Sequence, residues 1–302
     1  MAIHLNRPAL AASLALACLL AAGALALAAR GGVKPGTPQT IGTALALVGD
    51  ATTDAAPGPR ARGCGVAAGS PVGASMTTRG GRTFHVWGPQ SYDPARAYPL
   101  VLTFHGWTSN GRDFEKWFKM EDHVGGAAFT VYPDSRTGIW DFAGASDLDF
   151  SAEVIDAPAD AYCIDRARVL ALGFSYGARF VHHLGCKRPN LVRAIVAGAG
   201  GWDKETDCSP LPVLIIHRTH DDDQRLALGK AAAARWAKVD GCSEATTVTD
   251  GPHGCVAYRD CQAGAITFCE DRHFDPSWDR SWNHTVREEY RDLAWSWFTR
   301  LP

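Results

Sequence analysis

The chain lacks an excess of charge of either sign: 30 Lys and Arg stand against 32 Asp and Glu, a formal net charge of −2 over 302 residues. That balance gives no sign of a nucleic-acid or an acidic partner. It also lacks a C-x-x-C pair, so its nine cysteines do not carry the close spacing that zinc ligands want, and no metal is expected. A phosphate-cradling loop is missing as well. Gly198-Ala199-Gly200-Gly201 has neither the G-x-G-x-x-G spacing nor the acid that should follow it, so it does not read as a phosphate-binding loop. No internal repeat is visible. What remains is an ordinary globular composition, 46 % hydrophobic, enough to bury one sizeable core.

The first segment is set apart by composition. Met1 to Arg7 carries His4 and Arg7, and Ala9 to Ala29 is almost wholly apolar. Ala24-Leu25-Ala26 and Ala26-Leu27-Ala28 offer small-residue cleavage sites, so residues 1–29 read as a secretory signal peptide. An uncleaved membrane anchor is the competing reading, because the run is nearly long enough to span. Cys18 sits mid-run in an imperfect lipobox-like context. Residues 30–62, rich in Gly, Ala, Thr and Pro without a period, read as a flexible linker, and residues 63–302 as the folded domain. Setting Cys18 aside leaves Cys64, Cys163, Cys186, Cys208, Cys242, Cys255, Cys261 and Cys269, an even set spread over that domain. Disulfides in an oxidising compartment are the reading these support, with connectivity open. Secretion or a periplasmic location follows, with no stable membrane association once the signal is cleaved.

Along the domain, apolar runs alternate with helix-compatible stretches. Strands are expected over 82–87, 98–104, 127–132, 169–172, 191–197, 212–217 and 265–269. Helices are expected over 114–120, 151–161 (interrupted by Pro158), 178–184, 227–239 and 286–300. Continuous apolar strands separated by helices argue an α/β fold with a mostly parallel sheet covered on both faces.

The stretch Val169-Leu170-Ala171-Leu172-Gly173-Phe174-Ser175-Tyr176-Gly177-Ala178 organises the rest. It is a G-x-S-x-G pattern in strand–turn–helix context, which forces Ser175 into a strained, exposed position as a nucleophile. Such a serine needs an acid, a base and an oxyanion hole. The acid should follow a strand after Ser175. Leu214-Ile215-Ile216-His217-Arg218-Thr219-His220-Asp221 fits, making Asp221 the choice, with Asp222 and Asp223 as neighbours able to replace it. The base should follow the last strand. His273 lies nearest that strand's end, whereas His284 directly precedes the final helix; one of the two is the base, and His284 is the preferred one. Two backbone donors complete the hole: the N–H of Tyr176, and that of Trp107 after the His105-Gly106 turn.

Several of these motifs together resemble secreted α/β-hydrolase esterases of the feruloyl esterase and polyhydroxybutyrate depolymerase-like group. They are Gly173-Phe174-Ser175-Tyr176-Gly177, Cys163-Ile164-Asp165-Arg166-Ala167-Arg168-Val169, the His105-Gly106 turn, Gly63-Cys64-Gly65, and the run from Gly241-Cys242 through Cys261 to Phe268-Cys269-Glu270. The resemblance runs from about Cys64 to the C-terminus. It implies an α/β-hydrolase fold, no cofactor, disulfides and ester hydrolysis, with Ser175 as nucleophile and Asp221 as acid. Three departures stand out. Arg272-His273 lacks the glycine that usually precedes the group's histidine, Ala178 stands where a glycine is usual, and His217-Arg218-Thr219 replaces His-Gly-Thr.

The expected activity is a secreted serine esterase acting on feruloyl or acetyl esters of plant polysaccharide, or on a short polyester. Its rivals are a serine peptidase on the same triad and a catalytically inactive hydrolase-like binding protein. Of the ten tryptophans, Trp107, Trp140, Trp202, Trp278 and Trp282 fall on expected loops, where they could stack on a substrate or simply pack. His182 and His183 are adjacent on a helix and point in different directions, which disfavours a shared metal.

Overall fold

Six apolar strands make the middle of the molecule. The computed structural model describes residues 62–202, 207–262, 264–274 and 283–302. The expected signal peptide (1–29), all but the last residue of the expected linker (30–62), and Trp278 and Trp282 lie outside them. The strands are β1 (Ala74–Thr77), β2 (Thr83–Trp87), β3 (Tyr98–Phe104), β4 (Phe129–Pro133), β5 (Ile164–Phe174), β6 (Ala194–Gly198), β7 (Val213–Arg218), β8 (Ser243–Asp250), β9 (Cys255–Arg259) and β10 (Ile266–Asp271). They form a ten-stranded sheet in the order β1-β2-β4-β3-β5-β6-β7-β10-β9-β8. From β4 to β10 neighbours are parallel, whereas β1 and β2 at one edge and β9 and β8 at the other are antiparallel.

The central strands read as unbroken apolar runs because both faces are buried. In β5, Val169 and Ala171 pack into one core layer while Leu170 and Leu172 pack into the other; Val213 and Ile215 alternate with Leu214 and Ile216 in β7 the same way. One layer is closed by α3 (Ser146–Ala161), α4 (Tyr176–Lys187) and α5 (Leu226–Val239), through Phe150, Val154, Phe180, Val181 and Trp236. The other is closed by α1 (Gly111–Phe118), α2 (Met120–Val124) and α6 (Glu288–Thr299), through Phe114, Phe118, Met120, Leu293 and Trp297. Each such side chain contributes about 1.5–3 kcal/mol by leaving water.

Several boundaries differ from the sequence reading: the strand expected over 169–172 runs over Ile164–Phe174 and the helix expected over 178–184 over Tyr176–Lys187, and three others have a plain local cause. The helix expected over 114–120 runs from Gly111 to Phe118, because the Asn110 side chain accepts from Asp113 N and Lys119 turns left-handed (φ 45°) to end it. Met120 then opens α2. The helix expected from Ser151 begins at Ser146 and passes through Pro158. In its first turn Ser146 and Asp149 are exposed, while Asp147 is buried and pairs with Arg82. Pro158 lies in the last turn, where its missing N–H removes a single bond, and Tyr162 N still donates to its carbonyl at 2.7 Å. The strand expected from Leu191 starts at Ala194, since Leu191 closes a 3-10 turn.

The eight domain cysteines pair as Cys64–Cys163, Cys186–Cys208, Cys242–Cys261 and Cys255–Cys269. The first closes a span of 99 residues, which gives it the largest loop-closure contribution of the four. The last joins cross-strand partners of β9 and β10. Among the described residues, no helix is long and apolar enough to cross a membrane.

Candidate active site

The turn after β5 carries the strain that its sequence implies. Ser175 has φ 55° and ψ −115°, in the left-handed half of the map that a serine adopts only when its surroundings force it. Glycines do the forcing. A Cβ on Gly173 would lie 2.1 Å from the Gly177 carbonyl oxygen, and one on Gly177 would lie 2.1 Å from the Phe104 carbonyl oxygen. Ser175 N donates to Gly198 O at 2.9 Å, which fastens the turn to β6. Ala178, where the resembling group has glycine, is fully buried. Its methyl is accommodated because Gly200 opposite has no Cβ: one built there would lie 2.7 Å from the Ala178 Cβ.

His284 meets Ser175. Its Nε2 lies 2.7 Å from Ser175 Oγ and its Nδ1 lies 2.8 Å from Asp221 Oδ2. A carboxylate only accepts, so Nδ1 carries the proton, and Nε2 of the neutral ring is left to accept from the serine hydroxyl. The Asp221 side chain is fully buried and that of His284 is 13 % exposed. The other oxygen of Asp221, Oδ1, accepts from Asp223 N at 3.0 Å and Gln224 N at 2.8 Å, so the loop after β7 holds the carboxylate in place. Asp222 and Asp223 are exposed, and it is Asp221 that meets His284. His217 adjoins the same carboxylate at 3.9 Å, but its Nε2 is committed to Gln224 O at 2.6 Å. Burial lowers the His217 pKa, outweighing the Gln224 and Asp221 contacts that raise it, so its ring stays neutral beside Asp221.

His273 lies elsewhere. Its carbonyl accepts from Arg218 Nη2 at 2.7 Å and its N–H donates to Asp271 Oδ1 at 3.0 Å. It belongs to a brace in which buried Arg218 and the two-point grip of Arg287 (2.7 and 2.8 Å) converge on Asp271. The departure at Arg218 is explained by the same brace, because its guanidinium pairs at 3.3 Å with Asp271, its cross-strand partner on β10.

The turn after β3 flanks the serine. A Cβ on Gly106 would lie 3.3 Å from Phe174 Cδ1 and 3.4 Å from Ser175 Cβ, so the backbone leading into Trp107 runs alongside the Ser175 turn. Tyr176 opens α4, and its N–H is among those a helix start leaves without an intrahelical acceptor. His105 is a buried structural residue. Its Nδ1 lies 2.7 Å from Gly106 O, its ring packs on Trp140, and burial, as the largest influence, lowers its pKa.

Beside Ser175 opens a cleft of about 640 Å³, lined by Trp107, Phe114, Trp117, Phe174, Asp223 and His284 among others. Trp107 is 69 % and Trp117 42 % exposed, which is unusual for so large an apolar ring. Trp117 is not among the candidate site residues read from the sequence; its place three residues after Phe114 on the aromatic face of that helix is the signal it carries. Of the other loop tryptophans, Trp140 is buried against Phe104 and Phe180, and Trp202 stacks on Trp236 at 4.5 Å, so both pack rather than face this cleft. His182 accepts from Trp236 Nε1 at 2.9 Å within the same packing.

No family model matches the chain. Over 173 residues it is 28 % identical to the probable feruloyl esterase C of Aspergillus terreus, a match covering 55 % of this chain and 64 % of that protein, just under two thirds of its length. Over 255 residues it is 27 % identical to feruloyl esterase D of Neurospora crassa, covering 76 % of this chain and 86 % of that one. Its fold is similar to an acetyl xylan esterase from Aspergillus awamori, with a TM-score of 0.56 at 15 % identity over 74 % of this chain and 98 % of that one. By sequence the chain is similar to feruloyl esterases, and its fold is the α/β-hydrolase fold.

Proposed function

We propose that the chain is a secreted serine esterase in which Ser175 is the nucleophile, His284 the general base and Asp221 its orienting acid. The observation that carries this is the unbroken line of contacts, 2.7 Å from Ser175 Oγ to His284 Nε2 and 2.8 Å from His284 Nδ1 to Asp221. His284 takes the serine proton as Oγ attacks the ester carbonyl. Asp221 holds the imidazole in the tautomer that leaves Nε2 open and stabilises the imidazolium that forms. The N–H groups of Tyr176 and Trp107 receive the oxyanion, each donor contributing about 3–4 kcal/mol. His284 then protonates the departing alcohol, and the same base activates a water that releases the acid.

The ester we infer is that of an aromatic or acetyl acid on a plant polysaccharide. Similarity to feruloyl esterases and the two exposed tryptophans beside Ser175 support it. The four disulfides support an oxidising, extracytoplasmic location. The test is turnover of methyl ferulate and p-nitrophenyl acetate by wild type, Ser175→Ala, His284→Ala and His273→Ala, each checked for folding. The first two substitutions should lower kcat by about 10⁴-fold or more, and His273→Ala should leave it close to wild type. A folded wild type that hydrolyses neither ester, nor a polyester suspension, would remove the proposal.

A further inference from the structure

A second cleft, of about 580 Å³, lies at the far end of the sheet from Ser175. β3 spans the distance: Tyr98, its first residue, lines this cleft, and Phe104, its last, leads into the Gly106 turn at Ser175. Seven residues of strand separate the two by about 20 Å. The volume is that of a small-ligand site, about 300–1,000 Å³.

The lining has a distinctive chemistry. Half-buried Trp87, at the end of β2, supplies an aromatic wall. Around it stand exposed Gln90, Ser91 and Arg96 on the loop after β2, and Glu121 and exposed Asp122 on α2. Among the described residues, the side chains of Gln90, Ser91 and Asp122 have no hydrogen-bonding partner. Among the described residues, Arg96 is engaged only over the Tyr98 ring, its guanidinium carbon 4.8 Å from the centroid. The rim therefore presents amide, hydroxyl, guanidinium and carboxylate groups around one aromatic wall, with the Arg96 cation facing the carboxylates of Asp122 and of Glu121, the latter accepting from Tyr132 OH.

The rim is also held firm. Gly88 N donates to Pro71 O at 2.8 Å, and Ser70 Oγ donates to Pro89 O. Tyr92 OH accepts from Cys163 N at 2.8 Å, directly beside the Cys64–Cys163 disulfide. A preorganised rim of this kind loses little entropy on binding.

We propose that this cleft binds a neutral saccharide, as a docking subsite that holds polymeric substrate while leaving the catalytic cleft open. A sugar ring offers an apolar C–H face to an aromatic wall and an equatorial edge of hydroxyls that both donate and accept, matching this lining more closely than an anion or an acyl chain would. The proposal rests on the polysaccharide-linked ester inferred above.

The test is affinity gel electrophoresis of Ser175→Ala in soluble neutral xylan, with polygalacturonate as a charged control. Retardation by xylan alone is expected. It should weaken about tenfold in Trp87→Ala, and measurably in Gln90→Ala and Asp122→Ala, two surface changes that leave the core untouched. The same three substitutions placed in the active enzyme should keep p-nitrophenyl acetate turnover unchanged, which also shows that they fold. Absence of retardation, or retardation that all three substitutions leave intact, overturns the docking subsite. Loss of small-ester turnover by the wild type overturns the esterase reading instead, so the two failures are distinct.

Discussion

Two places in this molecule align a serine, a histidine and an aspartate. In one, Ser175, His284 and Asp221 are joined at 2.7 and 2.8 Å. In the other, Ser75 Oγ lies 3.1 Å from His85 Nδ1, and His85 Nε2 lies 3.4 Å from Asp134 Oδ2. The residue types are the same, but the settings are not. Ser75 sits in a regular edge strand opposite His85, with no strained turn and no helix behind it. Arg112 Nη2 already donates to Ser75 Oγ at 2.9 Å and stands 3.3 Å from His85 Nδ1, in the space where a substrate carbonyl would have to approach. Asp134 spends its other oxygen on Gly111 N at 2.7 Å, tying down the start of α1. The second group is thus a brace for the helix that carries Phe114 and Trp117 to the cleft. The comparison teaches that three such side chains do not by themselves make a candidate site; what sets Ser175 apart is its left-handed backbone, the helix start beneath it and the open cleft beside it.

The largest expected contrast is between the two aspartates and serines. Ser175→Ala and Asp221→Asn should each lower kcat by about 10⁴-fold, while Ser75→Ala and Asp134→Asn should leave kcat within a small factor; steady-state kinetics on p-nitrophenyl acetate decide it. The strained turn gives the next contrast. Gly173→Ala drives a methyl into the Gly177 carbonyl and should destabilise by about 3 kcal/mol or more, whereas Ser75→Ala should stay within about 0.5 kcal/mol, both read by urea unfolding. The cleft wall comes third: Trp117→Ala should lower kcat/KM for methyl ferulate about tenfold and that for p-nitrophenyl acetate less.

The smallest effect concerns pH. Burial lowers the pKa of His85, and likewise of His105 and His217. The unfolded chain takes up a proton on each near pH 6.5, while the folded protein resists until the lower folded values. The unfolded state therefore binds more protons in that window, and stability falls as pH drops below about 6.5. Thermal melts from pH 7 to pH 5 should show Tm declining by a few degrees, with a shallower decline in His85→Gln.

Legibility in the sequence followed burial and strain. The central strands were readable because a strand buried on both faces reads as a nearly continuous apolar run: every residue of β3 and β7 is buried, with Thr103 in β3 and His217 and Arg218 at the end of β7 as the polar exceptions. The turn at Ser175 was readable because only glycine fits at Gly173 and Gly177. β8, exposed along nearly its whole length, imposes no such pattern, and neither it nor β1 and β9 was expected. The choice between His273 and His284 was open for a related reason. Both follow β10, and what separates them is the brace of Arg218, Asp271 and Arg287, a contact between distant segments that no local pattern encodes. Trp117 escaped notice because an aromatic at helical spacing ordinarily packs inward.

The most direct measurement is to treat the protein with a fluorophosphonate and map the modified residue by mass spectrometry, in wild type, His284→Ala and His273→Ala. The account predicts stoichiometric label on Ser175 and none on Ser75, retained in His273→Ala and nearly abolished in His284→Ala. Label on Ser75, or labelling of Ser175 that depends on His273 and is indifferent to His284, would contradict it.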